Sequence, residues 1–242
     1  MEETALSRSS GSRKRQREPE SGDSDQSLSL EDNLTFSDTM VALRIMRAQF
    51  PHIEKVSIQP FVLQSQLYSS VKDRTQVDRE LESLKREKAL RIFKLNTGQD
   101  DHAIMLIDDY LSQIERVIKR MEEKKQDDLP VFEWFKTHVI SSKLDPSIGH
   151  DELTRQLIDP NMYWFAIPNV GPVLKGLSQG RKELLSLLNR RKFKEMMMAT
   201  LEKKRLRLSP LDMRFHLRDL IGSGHLRTVE APSGLIVKVA KD

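Results

Sequence analysis

The sequence predicts a mainly α protein with small β-hairpins, an α+β arrangement in which three helices followed by a hairpin occur twice. One observation behind this is the helical spacing of apolar residues from Asp38 onward, broken at intervals by capping and turn residues. A second is a pair of short alternating stretches, 89–95 with 102–107 and 226–229 with 235–239, each joined by turn chemistry. The third is composition: 38% of residues are apolar and 31% charged, enough to build cores. No uncharged window of about 18–20 residues exists to span a bilayer, so no membrane association is expected.

The elements follow in order. Residues 1–37 carry five basic and eight acidic groups and hardly any large apolar side chain before Leu28, so they are expected to be disordered. Within them Arg13, Lys14, Arg15 and Arg17 form a short basic cluster that reads as a nuclear-localisation signal or a loose electrostatic arm. Ser37 or Asp38 can cap a first helix through Met40, Leu43, Met46 and Phe50, ended by Pro51. Val62 to Ser70 is expected as a second helix. A capping-box-like start at Thr75 opens a third, through Val77, Leu81 and Leu84 to about Lys88. The hairpin 89–107 then completes a winged helix, a helix-turn-helix variant whose third helix usually meets the major groove. Arg74, Arg79 and Arg86 would face outward from that helix as secondary contacts to DNA or a partner. Glu80, Glu82 and Glu87 are interleaved with them, so an ordinary solvent-facing surface competes with that reading.

An amphipathic helix is expected from Asp108 to Lys125, then a linker to Asp128. Trp134 and Trp164 sit in apolar runs and are expected in a core; 162–167 reads as a strand ended by Pro168. Val173 to Leu188 reads as a helix and Asn189 to Lys194 as a basic joint. Met196, Met197, Met198 and Leu201 read as the apolar stripe of the next helix, and Ser209 or Asp212 as the start of another, stopped at Gly222. The chain thus divides into a tail (1–37), a winged helix (38–128), a shortened middle unit (129–172) and a third unit with a basic surface (173–242). Fold class: tandem winged-helix domains.

Charge is lopsided. Residues 171–207 hold eleven basic and three acidic groups, an excess that attracts polyanions, nucleic acid first among them. The candidate DNA contacts are Arg181, Arg190, Arg191, Lys192, Lys194, Lys203, Lys204 and Arg205. Other chemistries lack their parts. There is no cysteine, so neither disulfides nor Cys-ligated zinc; the six histidines show no two-His helical spacing with a carboxylate; no phosphate-binding glycine loop occurs. No apolar secretory core opens the chain, and an intracellular compartment is expected. Gly222-Ser223-Gly224 followed by Lys238 and Lys241 imitates a kinase glycine loop and strand lysine, but no catalytic-loop or metal-binding Asp motif accompanies it. Neither a catalytic residue, a cofactor nor a metal is expected.

Several stretches resemble the family called serine/threonine-protein kinase 19: Val62 to Leu81, Asn161 to Pro168, Gly180-Arg181, Arg190 to Glu195, and His216 to Gly222. The resemblance implies tandem winged-helix, DNA-binding proteins of the nucleus, despite the kinase name. It implies a role in transcription-coupled nucleotide excision repair alongside RNA polymerase II and the repair factor TFIIH. It also implies DNA contact at Arg190, Lys192, Lys194, Lys204 and Arg205, with Asn189 where a basic residue is expected. One departure is that the family's middle unit carries a further helix where only Leu153 to Asn161 stands here. The leading expectation is phosphate-backbone binding to double-stranded DNA. The rivals are a protein–protein adaptor of the transcription and repair machinery and a genuine kinase; the sequence leaves a homodimer open.

Overall fold

A computed structural model describes residues 37–54, 56–97, 101–124, 133–140, 147–149, 162–164 and 166–240. The basic tail cluster, the linker after Lys124 and the stretch 153–161 that stands for the expected missing helix lie outside the described residues.

The first helix, α1 (Asp38–Ala48), is capped by Ser37, whose hydroxyl accepts from the Met40 amide at 3.3 Å. β1 (Val62–Leu63) and α2 (Gln64–Ser70) follow, then α3 (Arg74–Arg86), β2 (Leu90–Lys94), β3 (His102–Leu106) and α4 (Ile107–Glu123). Two expectations are corrected here. Val62 and Leu63 do not open the second helix: they pair with Ile104 and Ala103 as a third strand, both side chains buried. Two residues of strand leave no periodic signal, and only tertiary pairing decides them. The third helix is capped by Asp73 rather than Thr75, its carboxylate accepting from the amides of Thr75 (2.9 Å) and Gln76 (3.2 Å). Lys88, at φ +59°, turns the chain into β2. The sheet order is β1–β3–β2.

The middle of the chain contributes a π-helix, Phe135–Ile140, and a two-stranded ladder of β4 (Ser147–Gly149) with β5 (Met162–Trp164). Trp134 is not core: it is 38% exposed and stacks on His138 at 5.4 Å. The apolar residues around it suggested burial, but Val139 and Ile140 turn inward in its place.

The last unit repeats the first. α5 (Gly171–Asn189), with Pro172 in its opening turn, leads to β6 (Glu195–Met197), α6 (Met198–Glu202), α7 (Met213–Gly222), β7 (Leu226–Ala231) and β8 (Gly234–Val239). The sheet order β6–β8–β7 matches β1–β3–β2. The methionine run is therefore split: Met196 and Met197 pair with Val237 and Ile236 as a strand, and only Met198 joins the helix with Leu201. Asp212 caps α7, accepting from Phe215 N at 2.8 Å.

Each winged helix has its own apolar cluster, around Leu43, Leu67, Val77 and Leu81 in the first and Leu184, Leu201, Leu217 and Val237 in the last. A third cluster runs between them. It takes Phe61, Phe93 and Tyr110 from the first unit, Val139, Ile140 and Ile167 from the middle, and Val173, Leu177 and Phe215 from the last. Phe50, Phe61 and Phe215 form a triangle with ring centroids 5.1–6.2 Å apart, each pair contributing about 0.5–1.5 kcal/mol beyond area burial. Residues 37–242 accordingly form one compact unit.

Candidate nucleic-acid interface

A winged helix ordinarily offers its third helix to the major groove. In the last unit that helix is α7, and it is not on offer. Met213, Phe215, His216, Leu217, Asp219, Leu220 and Gly222 are all buried. α7 lies against α2 so closely that a Cβ on Gly222 would stand 1.6 Å from the Ser65 carbonyl oxygen. Polar contacts hold α7 against α2 and against the end of α1. The Ser65 hydroxyl donates to Asp219 at 2.7 Å, the Gln66 amide to the Phe215 carbonyl at 3.1 Å, and Arg218 to the Gln49 side chain at 2.7 Å.

The structure corrects one sequence assignment. Arg181 is not a surface cation. It is 7% exposed, with Nε 2.6 Å from Asp219 Oδ2 and Nη1 2.6 Å from Asp101 Oδ2. Burial opposes its charge, but the hydrogen bonds it donates to Asp219 and Asp101 outweigh that and hold the guanidinium above its ordinary pKa. Its place in α5 looked basic and outward, because neither carboxylate is its neighbour in sequence. Arg74 is exposed; it donates to the Gly222 carbonyl at 2.9 Å and lies 5.1 Å over the Tyr68 ring. On the first unit's third helix, α3, Arg86 shares Glu82 with Lys85, and Tyr68 and Gln64 donate to Asp78. Arg79 is exposed, with no ion pair among the described residues. That face mixes both signs and makes a poor polyanion surface.

The remaining seven cations behave differently. Arg190 caps the C-terminal end of α5, its amide bonded to Ser186 O at 3.2 Å, and Arg191 N bonds to Leu188 O at 2.9 Å. Lys194, at φ +51°, closes the turn through its amide to Arg191 O (3.0 Å) and its carbonyl to Val239 N (3.1 Å). Lys203 caps α6 in the same way, with Lys204 and Arg205 just beyond, lining a polar pocket with His52, Asp212 and Arg214. Both groups follow helix C-termini, where the macrodipole is negative and cations are held without a carboxylate. Among the described residues none of Arg190, Arg191, Lys192, Lys194, Lys203, Lys204 and Arg205 has an ion pair, and all but the half-buried Lys204 are exposed. Eight residues separate the groups: a three-residue strand and a five-residue helix, so they stand at most about 25 Å apart. That span is about seven base pairs of duplex. Sequence reasoning passed over Phe193, 62% exposed inside the first group, with Lys192 Nζ 5.4 Å from its ring centroid. The legible signal was an aromatic residue flanked on both sides by cations, Arg190-Arg191-Lys192 before it and Lys194 after.

Lys238, half of the kinase-like imitation, pairs across the sheet with Glu195 at 3.2 Å, and Gly222-Ser223-Gly224 is the end of α7 and the turn into β7. Nor do the described residues contain any group of three or more His, Asp or Glu placed to hold a metal, or a helix long and apolar enough to cross a membrane.

Two units of matching strand order, fused through a shared core and presenting cations at helix ends, define a tandem winged-helix protein. The chain belongs to the family described as inactive serine-threonine protein kinase 19, whose model matches residues 27–159 and again 148–239. The family's description as inactive agrees with the missing kinase parts. The chain is similar to a Homo sapiens protein named winged helix repair factor 1, 27% identical over 202 residues, covering 76% of this chain and 78% of that one. The mouse protein of that name is 28% identical over the same shares. That of Dictyostelium discoideum is 23% identical over 274 residues, covering 91% of this chain and 69% of its own.

Proposed function

We propose that this chain is a non-catalytic nuclear repair factor that grips duplex DNA by its phosphates, through the turn 190–194 and the residues 203–205. The observation that carries the reading is the set of seven cations without carboxylate partners, against a background in which Arg47, Arg181 and Lys238 are ion-paired. Lys and Arg suit phosphate, and α7, the usual base reader, is turned inward, so binding is governed by charge rather than by sequence. The relatives' name supports repair as the setting. Its branch, transcription-coupled nucleotide excision repair beside RNA polymerase II and TFIIH, is part of the proposal, as is nuclear entry through Arg13, Lys14, Arg15 and Arg17.

Fluorescence anisotropy with a labelled duplex across a salt series tests the grip. About six phosphate contacts give a log–log slope near −5. Reversing Arg190, Lys192 and Lys194 to Glu abolishes measurable binding at about 150 mM salt if the reading is right; unchanged affinity refutes it. A second reading, an adaptor that binds a protein, is favoured by Val41 and Ile45, which stand 41% and 48% exposed beside the groove between α1 and the start of α3. An adaptor keeps its protein partner in excess DNA. A second copy of the chain at that groove would show as a dimer by light scattering.

A further inference from the structure

Among the described residues Phe193 is the most exposed large apolar side chain, and it sits amid Arg190, Arg191, Lys192 and Lys194. A lone exposed apolar side chain needs no explanation, but here three features converge. The turn that carries it is pinned, tied to the end of α5 through Arg191 N and to β8 through the Lys194 carbonyl. The ring is therefore presented from fixed backbone, and little freedom is lost when something covers it. Lys192 Nζ lies 5.4 Å from the ring centroid, and the 62% exposure leaves room for a second planar group. The surrounding cations lack carboxylate partners, so a polyanion brought to them places its bases within reach of the ring.

We propose that Phe193 is a stacking platform for an unpaired base. The chain then prefers DNA carrying unpaired bases, such as a bubble or a junction of duplex with single strand, over intact duplex. This rests on the DNA-binding reading above and adds to it a class of DNA. In duplex each base is already stacked on both faces, so the ring gains nothing from it unless a step opens. An unpaired base has a free π-face, and stacking is indifferent to which base supplies it. The cations hold the flanking phosphates, and the ring takes the base that those phosphates carry.

The test uses the full chain and three labelled probes of equal length: intact duplex, duplex with a central bubble, and single strand. Wild type is expected to bind the bubble about tenfold more tightly than the duplex. Phe193→Ala is expected to lose that preference, weakening on bubble and single strand by roughly tenfold or more while changing less than about twofold on duplex. Its salt slope stays that of wild type, because no charge is removed. Phe193→Trp keeps the preference, and its added emission is quenched by the bubble and not by the duplex. Because the side chain is exposed, both variants should melt close to wild type, which the same preparations verify.

Equal weakening on all three probes, no weakening on any, or a wild type that does not distinguish bubble from duplex overturns the stacking proposal and leaves the phosphate grip standing. Duplex affinity that survives reversal of Arg190, Lys192 and Lys194 overturns the grip itself, independently of position 193.

Discussion

Replacing Arg181 by Met separates a structural cation from a DNA-binding one. The substitution keeps the aliphatic length and removes the guanidinium. Left behind are the carboxylates of Asp219, with 0% of its side chain exposed, and Asp101, with 11%, both of which had faced the same cation. Removing one partner of a buried ion pair costs about 3–5 kcal/mol, since the remaining charges lie desolvated and like-signed. For a unit of this size each kcal/mol lowers Tm by roughly 2–4 °C, so the variant should melt roughly 6–20 °C below wild type. The loss has a pH signature. Burial raises the Asp101 carboxyl, but hydrogen bonds from Arg181 and Thr97 more than reverse this and hold it below its ordinary value of 3.8. A depressed carboxylate contributes stability above its unfolded pKa and loses it as pH falls through the folded value. The gap between wild type and variant should therefore be full at pH 7 and narrow below about pH 4. Urea denaturation followed by circular dichroism at the two pH values reads both effects. Duplex binding supplies the counter-test: Arg181 neutralises no phosphate, so the salt slope should not change. A stability loss under about 1 kcal/mol together with a slope shallower by about 0.9 would mean that the guanidinium faces DNA, and the buried clamp would be refuted.

Three other outcomes follow from the same contacts. His216 is fully buried, its Nε2 2.8 Å from the Ser209 hydroxyl, and burial pushes its pKa down to about 4. Between about pH 6.5 and 4 the unfolded chain binds a proton that the folded one does not; stability is thus complete above 6.5 and falls by about 2 kcal/mol by pH 5. Denaturation of His216→Asn should show that slope flattened, and an unchanged slope would contradict a neutral buried imidazole. Gly222→Ala forces α7 away from the Ser65 carbonyl and should cost about 3 kcal/mol, with faster hydrogen exchange in both α2 and α7; protection kept in α2 would contradict the close approach. Asp73→Ala should cost about 1 kcal/mol in thermal melts and Thr75→Ala clearly less, the reverse order restoring Thr75 as the cap.

Repetition made much of the fold legible. Ser37 as a cap, the periodic stripes of α1, α3 and α5, and the two alternating hairpins are local signals, and each element stands near where its pattern places it. What the pattern could not show depends on residues far apart in the chain. Val62 and Leu63 become a strand only because β3, some forty residues on, supplies the ladder. Met196 and Met197 become one because β8 does. The site divides along the same line. Cations at 190–194 and 203–205 stand at helix ends; their sequence neighbours Glu195 and Glu202 pair instead with Lys238 and Arg214. Arg181, in an equally basic stretch, meets Asp101 and Asp219 at separations of 80 and 38 residues, which no local reading reveals.

The fusion of the two winged helices bears on how the basic turn is aimed. α5 is 19 residues, about 28 Å of rigid helix, and its three parts meet three different things. Val173 and Leu177, near its start, belong to the core shared by all parts of the chain. Arg181, midway, joins Asp101 at the turn end of the first unit's hairpin to Asp219 on α7. Arg190, at its end, opens the cation turn. The first unit's wing, a DNA-backbone contact in other winged helices, is here tied by Asp101 to that strut, and the last unit's third helix is packed on α2. One wing and one third helix of the pair are thus used to hold the units together. On the proposed reading, the short cationic turn with its one exposed ring meets DNA together with residues 203–205, held rigid by the helix behind it. Under that proposal, binding depends on phosphate spacing and on the openness of a base step rather than on base-pair edges.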